Sequence, residues 1–268
     1  MARRDDAPRG GGARSPPAGG ATLAVVAAAA TPLNERGGDA RALLAWGVIV
    51  GLAVVTTSLA ARRHGRARVA VALAATVAGT WLLERAASRS GFPFGDYAYS
   101  DALGGLVDGV PAIVPRAGGA MAPPARAAGA AAAAALAPAA GAVARLARVV
   151  GGAAALTAWD AFLDPQMVGE GYWTWAGGGA YRGVPLGNYL GWFVTGLVLM
   201  AAYELLLPPG GRRPGAALVV QYAAVAVFQT VGFAAFFEDV LVAAVGGTAM
   251  GAVTLAAVVG LSRRRAPA

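Results

Sequence analysis

ALLAWGVIVGLAVVTTSLAA, Ala42 to Ala61, runs for 20 residues without a charge. A helix of that length rises about 30 Å, the thickness of the hydrocarbon core of a bilayer. Reading outward from it, further apolar blocks lie at Val69–Ala87, Val143–Leu163, Leu186–Leu207, Ala216–Phe237 and Val240–Leu261. A seventh, Ala112–Ala140, is irregular. Pro115, Arg116, Pro123, Pro124 and Arg126 interrupt its first half, so its ordered helix is expected to begin near Ala127, after a re-entrant or interfacial segment. Composition agrees, because 57% of the 268 residues are hydrophobic and only 13% are charged, against about 25% in a soluble domain. The expected fold class is all-α: a polytopic membrane bundle of about seven, or eight, transmembrane helices, with aromatic-rich loops on the non-cytoplasmic side.

Three regions follow. Residues 1–40 form a disordered or weakly hydrophobic N-terminal segment, 41–261 the transmembrane helical domain, and 262–268 a basic cytoplasmic tail. Met1 to Gly20, rich in Arg, Gly, Pro and Ala, is expected to be disordered. Ala21–Ala30 is short for a span. Behind Arg3 and Arg4 it reads equally as a signal peptide, an interfacial helix or an eighth span.

The net charge of +8 comes from arginine alone, since the chain has no lysine. These arginines sit in short connections between spans, where they read as topology signals rather than as a nucleic-acid surface. Arg62, Arg63, Arg66 and Arg68, then Arg145 and Arg148, then Arg212 and Arg213, then Arg263, Arg264 and Arg265 mark one set of helix ends. The alternation assigns those ends, and the C-terminus, to the cytoplasm of a cell integral (plasma) membrane protein. The opposite ends carry Glu35, Asp39, Asp96, Asp101, Asp108, Asp160, Asp164, Glu170, Glu238 and Asp239. The chain has no cysteine, which excludes disulfides and thiolate chemistry. His64 stands among cytoplasmic arginines with no claim to catalysis, no metal-ligand spacing is present, and Gly177–Gly179 is plain loop.

Two non-cytoplasmic loops, Glu84–Pro111 and Asp164–Pro185, mix Gly and Pro with Phe, Tyr and Trp. An aromatic belt would place rings at several span ends. Few lie at the cytoplasmic ends, so a cap of loops over the outer half of the bundle fits better. Beneath it, Asp160 and Asp164 lie four residues apart, hence on one helix face. Pro165 follows at once, and the helix is expected to close there. Acids near a bilayer core tend to face the bundle interior and mark function, and two carboxylates close together in low dielectric cannot easily both ionise. The alternative is an interfacial pair bonded to Arg182. Glu84 reads either as a third member of this cluster or as a partner of Arg85 or Arg89. Asn188 reads as a helix cap or a water-orienting group, capping being the preferred role. Glu204 reads as a structural or snorkelling charge.

GFPFGDYAYSDALG (Gly91–Gly104), the pair Val110–Pro111, WDAFLDPQMVGEGYWTW (Trp159–Trp175) and GVPLGNYLGW (Gly183–Trp192) together resemble the carotenoid biosynthesis membrane proteins typified by the CruF carotenoid hydratases, bisanhydrobacterioruberin hydratases included. The resemblance covers roughly Val69 to Leu207. It implies addition of water across the terminal C=C of an acyclic carotene end, giving a tertiary alcohol with no redox cofactor. One departure is PRAGGAMAPPARAAG, Pro115–Gly129, where relatives tend to have an aromatic, Met-containing helix; it leaves less wall for a long polyene.

The chemistry of the residues agrees with the resemblance. A protonated carboxyl can protonate the alkene, and aromatic faces stabilise the resulting cation. Asp160 and Asp164 are the candidate acid and water-orienting pair, in either order, with Glu84 as a third catalytic candidate. Tyr97, Tyr99, Trp173 and Trp175 are candidate cation-facing walls, and Tyr181, Asn188 and Trp192 complete the candidate substrate contacts. Expected partners are the lipid bilayer, a carotenoid substrate and other carotenoid-pathway enzymes, with no nucleic acid. Two other readings compete: a non-catalytic carotenoid carrier or transporter, and a prenyltransferase using Asp160 and Asp164 for magnesium–diphosphate.

Overall fold

The computed structural model describes residues 16–136, 140–208 and 215–263. Arg3, Arg4, Arg212, Arg213, Arg264 and Arg265, with most of the expected disordered head and basic tail, lie outside the described residues. The described helices are α1 (Pro16–Ala30), α2 (Asp39–His64), α3 (Arg66–Ser90), α4 (Ile113–Leu136), α5 (Gly141–Gly169), α6 (Leu186–Leu206), α7 (Ala216–Ala235) and α8 (Val240–Arg263). Six of them, α2, α3, α5, α6, α7 and α8, are long and apolar enough to cross a membrane. Their outward residues, such as Val50, Val71, Leu82, Val198 and Val220, are large, apolar and exposed, as lipid-facing positions must be. The expected polytopic all-α bundle is what the chain forms.

Residues 16–20 are helical rather than disordered. Pro16 and Pro17 open α1, where the missing N–H groups would have had no helical partner anyway. The Ala- and Gly-rich sequence of α1 then lets it lie directly on α2: a Cβ built on Gly51 would fall 2.6 Å from the backbone nitrogen of Ala24.

α4 departs furthest from expectation. It is one continuous helix from Ile113, with no re-entrant break before Ala127, and Pro123 and Pro124 lie inside it, buried. Pro115 costs nothing in the first turn, where N–H groups have no intrahelical partner. Pro124 deprives the Ala120 carbonyl of its helical donor, and the hydroxyl of Thr56 on α2 replaces it at 2.7 Å. The Nε2 of Gln221 on α7 in turn donates to the Thr56 Oγ1 at 2.8 Å, so one threonine ties three helices together.

The same sequence explains why α4 sits at the centre. Its Ala, Gly and Pro make a thin apolar rod, bordered by α2, α3, α5, α7 and α8. At Gly129 the rod touches α5 backbone to backbone, since an added Cβ would lie 2.1 Å from the Gly151 carbonyl oxygen. Small residues at such crossings are how membrane helices gain close contact. Thr56→Val is therefore expected to cost about 1–2 kcal/mol, by leaving the Ala120 carbonyl without a donor and the Gln221 Nε2 with only its longer bond to the Leu52 carbonyl at 3.3 Å. A shift of the thermal unfolding midpoint in nanodiscs measures it, and an unchanged midpoint would remove Thr56 from this role.

Connectivity gathers Arg62, Arg66, Arg148 and Arg263 at one end of the bundle and the long aromatic connections at the other. α3 stops at Gly91, which takes a left-handed conformation (φ 74°) that a side chain would resist. The two aromatic connections then meet: β1 (Tyr97–Tyr99) pairs antiparallel with β4 (Trp173–Trp175). A second small ribbon joins β2 (Leu106–Val107) to β3 (Val110–Pro111).

Candidate active site

Asp160 and Asp164 do not end a helix. α5 continues through Pro165 to Gly169, so both acids project from its interior. Proline at 165 removes the N–H that would have bonded the Ala161 carbonyl. The Tyr181 hydroxyl donates to that oxygen instead, at 3.0 Å. The turn after α5 thus repairs the break, and Tyr181 is engaged there rather than in a wall of the cavity described below.

The two carboxyls are 5% and 4% exposed. The Asn188 Nδ2 donates to Asp164 Oδ2 at 2.6 Å. Asn188 is therefore not a cap: its side chain turns away from its own helix, which has no side-chain cap, toward α5. Asp160 Oδ2 is buried with no hydrogen-bond partner, and the charges acting on Asp160 are those of Asp164 and Glu84.

Arginine is absent from this cluster for a definite reason. Arg182 pairs with Asp239 at 2.7 Å, not with the aspartate pair. Arg85 and Arg89 both hold Asp108, the Arg85 hydrogen bond keeping that exposed carboxyl below the usual carboxylate range. Arg41 takes Glu170, and Arg126 and Arg148 take Glu204, which confirms a structural place for that residue at the arginine end. Among the described residues, Glu84, Asp160 and Asp164 are the buried acids left without a basic partner. No three His, Asp or Glu side chains among the described residues converge on a metal position.

Glu84, 2% exposed, belongs with the buried cluster rather than with Arg85 or Arg89. The hydroxyls of Tyr97 and Tyr99 both donate to its Oε2, the second at 2.7 Å. Burial, and then the charge of Glu84, raise both phenols above their ordinary range, so both keep the proton they donate.

Strand geometry explains the ring arrangement. In a two-residue period Tyr97 and Tyr99 share one face, as do Trp173 and Trp175, and antiparallel pairing sets Tyr97 opposite Trp175 and Tyr99 opposite Trp173. Ring centroids stand 5.8 Å apart in the first pair and 5.7 Å, edge to face, in the second. Phe94 stacks on Trp192 at 4.7 Å, and the Trp175 Nε1 donates to the Phe94 carbonyl at 2.9 Å. YAY and WTW carried the alternation that signals these strands; both lay within stretches read only as loop.

All of this faces one cavity of about 1050 Å³. Glu84, Tyr97, Tyr99, Asp160, Asp164, Trp173, Trp175, Asn188 and Trp192 line it, together with Phe94, Trp159, Met167 and Tyr172, which sequence reasoning had not assigned. Of the α4 departure, Ala117 and Gly118 form part of the wall, so its small side chains leave room there. An apolar, aromatic-walled chamber with three buried acids free of basic partners can transfer a proton to a hydrocarbon and shelter the resulting cation from bulk water.

No curated protein and no solved structure matches the chain. A family model for carotenoid biosynthesis proteins matches residues 43–262, a longer span than the motifs alone had marked. A membrane bundle with this chamber, matched over that length, belongs to the carotenoid biosynthesis protein family.

Proposed function

We propose that the chain is a hydratase acting on the terminal C=C of an acyclic carotene end group. The observation that carries this reading is Asp160: a buried carboxyl with no cation and no hydrogen-bond donor on its Oδ2, beside Asp164 held by Asn188, in a chamber walled by aromatic rings. Two acids so placed share one proton, because ionising both in low dielectric is costly. With Asp160 neutral and Asp164 ionised, Asp160 gives its proton to the less substituted alkene carbon. The positive charge develops on the tertiary carbon, facing the rings of Tyr97, Tyr99, Trp173 and Trp175. Water adds to that carbon and loses a proton to Asp164, whose geometry Asn188 fixes. Proton exchange between the two aspartates restores the starting state, so alkene and water give the tertiary alcohol with no net change in the protein.

Glu84 serves differently in this reading. Bonded by two tyrosines, it fastens the β1–β4 cap over the chamber rather than moving a proton. The arginine-rich ends face the cytoplasm of the plasma membrane, which puts the chamber at the outer leaflet and the C-terminus inside. Residues 41–261 form the transmembrane helical domain that carries the aspartate pair.

The cavity's size also favours a second reading, a carotenoid carrier without chemistry. A magnesium–diphosphate site is disfavoured because Arg41, Arg85, Arg89 and Arg182, near the cap, are already paired with acids. Expression in a carotene-producing host separates the readings. Pigment heavier by one water supports hydration, bound but unchanged pigment supports a carrier, and dependence on a diphosphate substrate supports the third.

A further inference from the structure

The cavity does not end beneath the cap. It continues as a groove between the α1–α2 hairpin and α7, running past Ala28 of α1, Leu52 and Leu59 of α2, and Ala224 and Ala217 of α7. Lining residues extend along α7 from Ala217 to Phe236. That is almost the whole helix, a run of about 30 Å, close to the hydrocarbon thickness of a bilayer.

The groove opens sideways. Val25, Val220 and Val227 line it and yet are 51%, 66% and 64% exposed, so its mouth faces lipid between α1 and α7. α1 is fixed as its far wall by the backbone contact at Gly51, not by any closure onto α7. Away from the acids most of the lining is hydrocarbon. Its polar exceptions along α7 are Gln221, whose Nε2 is committed to Thr56 and the Leu52 carbonyl, and Gln229; the Oε1 atoms of both are buried without a partner. With Arg41 paired to Glu170 and hydrocarbon over most of its length, the groove suits an elongated, uncharged and largely apolar ligand segment. α1 also precedes the residues 43–262 that the family shares.

We propose that this groove binds the non-reacting length of the substrate, an extended hydrocarbon polyene lying across the membrane thickness. The polyene passes in sideways between α1 and α7, and α1 supplies a wall from outside the family-matched region. The inference rests on the hydratase reading only in placing the reacting end at Asp160.

The test uses the full-length chain in nanodiscs loaded with lycopene, an acyclic carotene. Ala28→Trp and Ala224→Trp fill the groove from opposite walls, and Val26→Trp places the same indole on the outer face of α1, where Val26 is 60% exposed. Pigment retained per protein, read by visible absorbance, is expected to fall about tenfold in the two groove variants, as overpacking of an apolar site requires. Val26→Trp and Asp160→Asn are expected to hold pigment like the wild type. Ala28→Leu and Ala224→Leu, with wild-type melting curves, are expected to give intermediate losses that a misfolded bundle would not. Wild-type retention in the groove variants, or equal loss in Val26→Trp, overturns the proposal. Retention through the groove without water addition would count against the hydratase reading alone. Wild-type water addition by Ala28→Trp and Ala224→Trp would count against the groove alone.

Discussion

Asp160→Asn is expected to lower water addition by about a thousandfold, the middle of the range that a positioned general acid contributes. The amide keeps the size of the side chain but has no proton to give. Asp164→Asn is expected to lose about a hundredfold, since water capture loses its base while protonation stays possible. Neither change should release bound carotene, because the aromatic walls and the groove are untouched. Stability separates this account from a structural role. A buried carboxyl with an unpartnered oxygen already burdens the fold, and a neutral amide of the same size leaves that burden in place, so Asp160→Asn should melt near the wild-type temperature. A product yield near wild type in Asp160→Asn, measured by mass spectrometry, would remove it from the mechanism. A large fall in melting temperature would recast it as a structural group.

The second large effect concerns the fold. Gly129→Ala is expected to destabilise the bundle by about 3–5 kcal/mol, enough to prevent accumulation in the membrane. Its methyl group would lie 2.1 Å from the Gly151 carbonyl oxygen, and backbone cannot yield as a flexible side-chain tip can. Gly251→Ala is the contrast, because a Cβ there meets nothing within 4 Å. In a helix interior that change should be neutral or stabilise by up to about 1 kcal/mol. Membrane-inserted yield and unfolding in detergent compare the two. Equal behaviour would show that the α4–α5 contact does not hold the bundle together.

These effects mark where the sequence was readable. Apolar runs of about 20 residues identify spans by length alone, which is why α2, α3, α6, α7 and α8 fall close to their expected bounds while α5 runs on past its expected end to Gly169. Proline was misread twice, at Pro165 and at Pro123–Pro124, and for one reason. At Pro165 and Pro124 the stranded carbonyl finds another donor, and those donors, Tyr181 and Thr56, come from distant positions in the chain. Asn188 was misread likewise, since its partner Asp164 is 24 residues away. The aspartate pair was legible because four-residue spacing fixes a shared face whatever surrounds it. The pairing of YAY with WTW was not, although each triplet alternates as a strand does, because register depends on two loops meeting. The groove was invisible for the same reason: residues from α1, α2 and α7 line it together.

The most direct measurement is isotopic. Wild-type protein in lipid nanodiscs is given lycopene in water enriched in oxygen-18, and the extracted pigment is weighed by mass spectrometry. The account predicts a product heavier by one labelled water, carrying its hydroxyl on the tertiary carbon, and predicts that Asp160→Asn leaves the carotene bound and unchanged. Unaltered pigment from the wild type, or labelled alcohol formed equally well by Asp160→Asn, would contradict it.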